Sequence, residues 1–171
     1  SLIVGALPKV GKINLAYFAD KRGRVLTEMS LMRYGLEDYI LITAASAQWH
    51  DYEFLKGNLP ADDKLSLTDI SKSVSTLIVT GPQSRLLLKK LTSADLEKPW
   101  LSVQKAKIGN YAVSLARVSF AGELGWEIHS ENKDIRVIYK KIIACGAKPF
   151  GMFALNSLRI EKGYKTWKGD L

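Results

Sequence analysis

Two carboxylates stand where they could do chemistry. Glu28 lies in "VLTEMSLM", on the strand face that also carries Leu26, Ser30 and Met32. A carboxyl group among apolar neighbours resists ionising, so its pKa is expected above the reference of about 4.3. Such a group can exchange protons or anchor a ligand N–H. A lone charge on an edge strand that discourages aggregation fits the same residues. Glu127 follows Gly122 and Gly125 in "RVSFAGELGWEIHS". Glycines inside a strand mark a bulge or the close approach of another body. One reading is a strand bent at the glycine pair, so that Glu127 addresses a flat, polar-edged ligand walled by Phe120 and Trp126. The other is a twisted strand packed under a helix. Glu123 is read as solvent-facing or structural.

Other chemistries find little support. His50 is followed by Asp51 on an expected helix, where adjacent residues do not face each other. His129 shares strand parity with Glu127 and Glu123, but a hydrolytic triad also needs a serine on a sharp turn, and no G-x-S-x-G occurs. There is no G-x-G-x-x-G and no G-x-x-x-x-G-K-[ST], so no nucleotide loop is visible. One Cys and two His argue against a zinc site, and no metal is expected. Cys145 stands among apolar residues and reads as a buried small hydrophobe. A single cysteine offers no disulfide framework, which indicates a reducing compartment: cytoplasm, or mitochondrial matrix in a eukaryote.

The formal charge is +8, which could favour nucleic acid or an anionic small molecule. The basic residues are scattered singly or in pairs, with no stripe interleaved with aromatics, so no nucleic-acid partner is expected. The apolar runs are too short to cross a bilayer, and no membrane partner is expected. The start, "SLIVGALPKVGK", has no basic region before its apolar run and does not read as a signal peptide. With 171 residues, 47% hydrophobic and 25% charged, the composition is that of a globular chain of one domain or two small lobes.

These residues need elements to position them. "GKINLAYFAD" (11–20) and "RVLTEMSLMRYG" (24–35) read as a hairpin around Lys21-Arg22-Gly23, followed by a buried strand at 39–45. Ser46 is expected to cap a helix, "AQWHDYEFLKG", with Trp49 and Tyr52 on one side. Strands are expected at 64–70 and 74–80 around a polar joint, Ser71-Lys72-Ser73. "GPQSRLLLKKL" reads as a helix with Pro82 at its first position. A second hairpin turns at Gly109-Asn110, and 117–130 supplies a further strand. "KDIRVIYKKIIACG" is an amphipathic helix ended by Gly146, and "FALNSLRIEKGY" is a last helix with Gly163 near its end. Tight turns between strands imply an α+β fold of mostly antiparallel sheets with packed helices. The joint divides it into two lobes, 1–72 and 73–171. The polar-aromatic tail "KGYKTWKGDL" has no finishing element, so the chain reads as cut from something longer.

Three separated motifs, "VTGPQSRLLLKKL", "RVSFAGELGWEIH" and "SLRIEKGYKTWKGDL", resemble the folate-binding domain shared by the glycine-cleavage T-protein (aminomethyltransferase) and the dimethylglycine and sarcosine dehydrogenases. "GKINLAYFADKRGRVLTEMSLMR" and "LITAASAQWHDYEFL" agree with its first third, so the resemblance spans nearly the whole chain. "GELGWE" and "LRIEKGYKTW" are most similar to the dehydrogenase branch. The resemblance implies one-carbon transfer from an oxidised methylamine, of dimethylglycine or sarcosine type, to tetrahydrofolate. The amine would be oxidised at FAD in an upstream flavin domain, which would be the partner in the full protein. It implies that Glu28 is the catalytic carboxylate, positioning the pterin and managing protons. It places Glu127 at the pterin edge, with Phe120 and Tyr164 packing against the ring.

Two departures bear on this. Phe120 stands where the motif commonly has Tyr, so it packs but cannot donate. Leu155 stands at the T-protein's arginine, so that contact is absent. The resemblance also implies a domain that continues on both sides, so this piece alone is expected to bind folate weakly or not at all and to show no dehydrogenase activity. Alternatives are a stand-alone aminomethyltransferase or demethylase, or a non-catalytic folate-binding scaffold. The tRNA-modification-linked folate binders carry a K-G-C-Y-x-G-Q stretch after the last helix, which "EKGYKTWKGDL" lacks.

Overall fold

The computed structural model describes residues 3–62, 64–166 and 169–170. The fold is α+β, built from two four-stranded antiparallel sheets and four α-helices among the described residues. Contacts group the chain into two units, Ser1–Lys72 and Ser73–Leu171.

In the first unit, β1 (Ile3–Val4), β2 (Lys12–Ala19), β3 (Val25–Arg33) and β4 (Tyr39–Ile42) pair in the order of the chain. The Asp20 carboxylate builds the first hairpin turn. It accepts from the backbone N–H groups of Arg22 (2.8 Å) and Arg24 (3.0 Å) and from the Arg24 side chain (2.8 Å). Gly23 supplies the positive φ of 78° that the turn requires. One sheet face buries Ala16, Phe18, Met29 and Leu31 against Phe54 and Leu55. Phe54 and Leu55 belong to α1 (Gln48–Gly57), and Phe54 meets the Phe18 ring edge-on at 5.8 Å.

Several expectations are corrected here. β4 is half-buried, because it is the last strand of its sheet. Ser46 does not cap α1: a 3-10 turn, Ala45–Ala47, leads in, and Ala47 occupies the cap without a side-chain bond. The helix buries Asp51 with Phe54 and Leu55, and Trp49 points outward at 69% exposed. Asp51 accepts from the Thr43 hydroxyl, and its carboxylate lies 2.8 Å from His50 Nδ1, so these sequence neighbours do meet. Residues 64–70 are mostly exposed and form no strand. Their apolar alternation finds no neighbouring strand to pair with among the described residues.

In the second unit, β5 (Val74–Thr80), β6 (Val103–Ile108), β7 (Tyr111–Ala116) and β8 (Gly125–Glu131) stand in the order β5-β8-β7-β6. The β6–β7 hairpin turns on Gly109-Asn110, with Gly109 at φ 59°. One sheet face carries Val79, Val113, Leu115, Trp126 and Ile128. It packs with Leu88 of α2 (Ser84–Lys89) and with Ile138 and Ile142 of α3 (Asn132–Ala144). Pro82 lies in the turn before α2 and is not its first residue. Gly146, at φ 99°, ends α3. Cys145 caps α3 and is half-buried, so it is less enclosed than its apolar neighbours imply. The last helix, α4, spans Met152–Glu161.

Candidate functional site

Glu127 sits on the sheet face opposite the helices. Strand alternation sends Trp126 and Ile128 into the core, and both are at most 1% exposed. Glu127 faces the other way, opposite Ile78 of β5 and Ala116 of β7, with its side chain 22% exposed. Trp126 is therefore not a wall of the Glu127 site; the guanidinium groups of Arg85 and Arg117 lie about its ring, at 6.0 and 5.9 Å.

A polar row crosses this face beside Glu127. It runs Lys105, Ser114, His129, Thr76 over the four strands. His129 is only 9% exposed. Its Nδ1 lies 2.7 Å from Thr76 Oγ1. Its Nε2 lies 3.4 Å from Glu127 Oε2, is buried and makes no hydrogen bond. A buried, unmatched nitrogen beside a half-open carboxylate is a site with unused hydrogen-bonding capacity.

The glycine pair acts differently from the expected strand bend. Residues 117–124 are loop, the strand begins at Gly125, and β8 pairs without a bulge from there. Gly122 turns the loop with φ 74°, and its amide donates to Ser119 O at 3.3 Å. Gly125 allows close approach: a Cβ there would stand 2.9 Å from Ser119 Cβ and 3.0 Å from Val79 O. The loop is thus pressed against the start of the sheet, and Ser119 Oγ meets Thr80 Oγ1 at 3.0 Å. Phe120 rides on this loop, so strand alternation does not fix its direction relative to Glu127.

Phe120 and Tyr164 come together. Their rings stack with centroids 6.2 Å apart and planes 16° from parallel. The end of α4 makes this contact. Gly163, at φ 77°, closes the helix: its amide donates to Ile160 O (2.9 Å) and that of Tyr164 to Arg159 O (2.8 Å). The chain reverses and carries Tyr164 back over the loop. Arg159, buried on α4, ties the assembly. It donates to Asn156 Oδ1 (2.8 Å), Tyr164 O (2.9 Å) and Asp170 Oδ2 (2.5 Å), with its guanidinium 5.9 Å from the Phe120 ring. The Asp170 carboxyl is lowered to about 2, first by the Thr166 backbone N–H, then by the Thr166 hydroxyl and Arg159. Trp167, the last residue of the L-R-I-E-K-G-Y-K-T-W motif, lies outside the described residues.

Arg159 and His129 are the residues that sequence reasoning undervalues. Arg159 stands four residues after Leu155, hence on the same buried helix face, and that spacing is the available signal. Leu155 lines a cavity of about 570 Å³ along β5, with Thr76, Thr80, Leu87, Ile142 and Phe150. Glu127, Phe120 and Tyr164 are not in its lining. The cavity follows the edge of the sheet, whereas the carboxylate and imidazole occupy its face.

Glu28 belongs to the first unit. It is half-buried on β3, opposite Tyr17 of β2, on the sheet face away from α1. Leu26 and Ser30 share that face and are half-buried, while Leu15 on β2 is 53% exposed. The expected company of Leu26, Ser30 and Met32 is thus present, since Thr27, Met29 and Leu31 take the opposite, buried parity.

Known proteins share this arrangement of elements. The GCVT N-terminal domain family matches residues 2–171. Dimethylglycine dehydrogenase of Rattus norvegicus is 31% identical over 99% of this chain, which covers 21% of that protein. Aminomethyltransferase of Thermus thermophilus is 30% identical over 95% of the chain and 47% of its own length. The chain therefore spans about a fifth to a half of these relatives. The solved aminomethyltransferase T of Bartonella henselae superposes with a TM-score of 0.71 over 92% of this chain and 42% of its own, at 22% identity. Heterotetrameric sarcosine oxidase of Corynebacterium sp. gives 0.64 over 86% of this chain and 72% of that one, at 21% identity. At those identities the solved structures establish the fold alone. With its matching family spanning residues 2–171 and these relatives aligned over nearly all of its length, the chain belongs to the GCVT N-terminal domain family.

Proposed function

We propose that this chain is the folate-binding part of a one-carbon transfer system, taking the unit released from an oxidised methylamine of dimethylglycine or sarcosine type. In the full-length protein it would work beside an upstream flavin domain that holds FAD, in the cytoplasm or the mitochondrial matrix. The observation that carries the proposal is Glu127: a half-open carboxylate next to a polar row of the sheet, beside a buried imidazole with an unused nitrogen. That donor and acceptor set fits a flat ring with N–H groups on its edge. The match to dimethylglycine dehydrogenase over 99% of the chain supports the choice of branch.

Tetrahydrofolate, when bound, supplies the nitrogens that accept the one-carbon unit. Glu127 would accept hydrogen bonds from the pterin edge and fix the ring's orientation. Phe120 and Tyr164, already stacked, would offer an aromatic surface to the ring. Glu28 would hold or move a proton at its carboxylate. In the full-length protein, Glu28→Gln would cut methylenetetrahydrofolate formation while sparing amine oxidation. Undiminished product yield would remove Glu28 from the mechanism.

A second reading is a stand-alone aminomethyltransferase, favoured by the 30% identity to the Thermus enzyme over 95% of the chain. Oxidation of dimethylglycine or sarcosine by the purified full-length protein, with a bound flavin spectrum, selects the first reading. Tetrahydrofolate-dependent transfer with no flavin selects the second.

A further inference from the structure

His129 is buried beside Glu127, and the proposed chemistry gives it no step of its own. Its surroundings define a role. The ring is fixed at one end by Thr76, whose Oγ1 lies 2.7 Å from Nδ1. At the other end Nε2 faces the Glu127 carboxylate at 3.4 Å without a completed hydrogen bond. If the Thr76 hydroxyl donates to Nδ1, the ring proton must sit on Nε2, pointing toward a carboxylate that can only accept when ionised.

We propose that His129 is a positioning residue: through the chain Thr76 O–H to Nδ1 and Nε2–H to Glu127 Oε2, it orients the Glu127 carboxylate so that Oε1 is presented to a ligand N–H. The side-chain geometry stands by itself; the ligand's identity as a reduced folate rests on the proposed function. The arrangement has physical sense. A carboxylate on a sheet face can rotate about its last torsion, and a broad torsion leaves acceptor directions undefined. A donor held by its own second bond removes that freedom before the ligand arrives. Other groups near the imidazole are Ser114, directly across on β7, and Lys105, one strand further on β6. Lys105 is the cation of that row and lies about 10 Å away by strand spacing.

The test uses imidazole 15N–1H spectra of the protein together with titration by 5-formyltetrahydrofolate. Neutral His129 is expected as the Nε2–H tautomer. Thr76→Val should let the proton redistribute between the two nitrogens. Glu127→Gln should shift the Nε2–H proton resonance, because the group facing it changes from a carboxylate to an amide. With ligand, His129→Leu should weaken binding about tenfold, the scale of one charge-assisted hydrogen bond. His129→Gln, which keeps a donor, should restore most of it. A proton on Nδ1, or an Nε2–H resonance indifferent to Glu127→Gln, overturns the proposal. So does equal ligand affinity in the His129→Leu variant. Should the unaltered protein bind no folate at any concentration, the folate reading fails, while the spectra alone still decide whether His129 holds Glu127. If His129→Leu does not fold, the tautomer and the Glu127→Gln shift decide between the two outcomes.

Discussion

The two sheets each give one face to helices and keep an acid on the other, yet they surround that acid differently. On the first, Glu28 stands opposite Tyr17 with Leu26 and Ser30 along its strand, in mixed and partly apolar company. On the second, Glu127 stands between Ile78 and Ala116, with a buried imidazole on the polar row beside it. The proposed function gives the two acids different tasks, proton handling for Glu28 and a hydrogen-bond anchor for Glu127.

That contrast can be broken most forcefully at Trp126 and Glu127, neighbours on β8 that face opposite ways. Trp126→Ala should cost about 3–5 kcal/mol, measured by urea unfolding, as a cavity opens in the core. Glu127→Gln should leave the unfolding midpoint almost unmoved. A Trp126→Ala loss below about 1 kcal/mol would place that ring outside the core. Next in size, Glu28→Gln should reduce one-carbon transfer roughly a hundredfold, the usual scale of an acid–base group, with amine oxidation and folate affinity nearly intact. A loss confined to affinity would give Glu28 the task assigned to Glu127. Smaller still, Gly122→Ala should destabilise by about 1–2 kcal/mol because it forces a side chain into a left-handed backbone. The new methyl would also displace the Lys162 stem. Gly23→Ala, with open space around it, should show the backbone cost without the collision.

The smallest effect is a pH dependence at Asp170, whose carboxyl is lowered to about 2 by Thr166 and Arg159. A depressed acid stabilises above its unfolded value, near 4, and that contribution disappears as pH falls toward 2. The Thr166 amide signal should therefore titrate with a midpoint close to 2. A midpoint near 4 would mean that Asp170 does not hold the segment after α4.

Much of the fold is legible in the sequence because its signals are local. Gly23 and Gly109-Asn110 announce their turns, and the spacing of Ile138 and Ile142 announces α3. The parity that puts Glu28 apart from Met29 and Leu31 can also be read from the strand itself. What fails depends on partners. Residues 64–70 alternate like a strand but meet no strand to pair with among the described residues. Ser46 looks like a cap, yet the chain enters α1 through a 3-10 turn. Phe120 reads as strand because two glycines resemble a bulge; they instead shape a loop whose Ser119 is pressed against Gly125 at the start of β8. Arg159 and His129 are undervalued because their meaning comes from Asp170, Thr76 and Glu127, residues brought near by folding.

The most direct test is a calorimetric titration of the full-length protein with tetrahydrofolate, repeated on Glu127→Gln. Saturable binding that weakens tenfold or more in the variant is the predicted result. Equal affinity in both proteins would leave a shared ancestry whose carboxylate no longer meets the ligand.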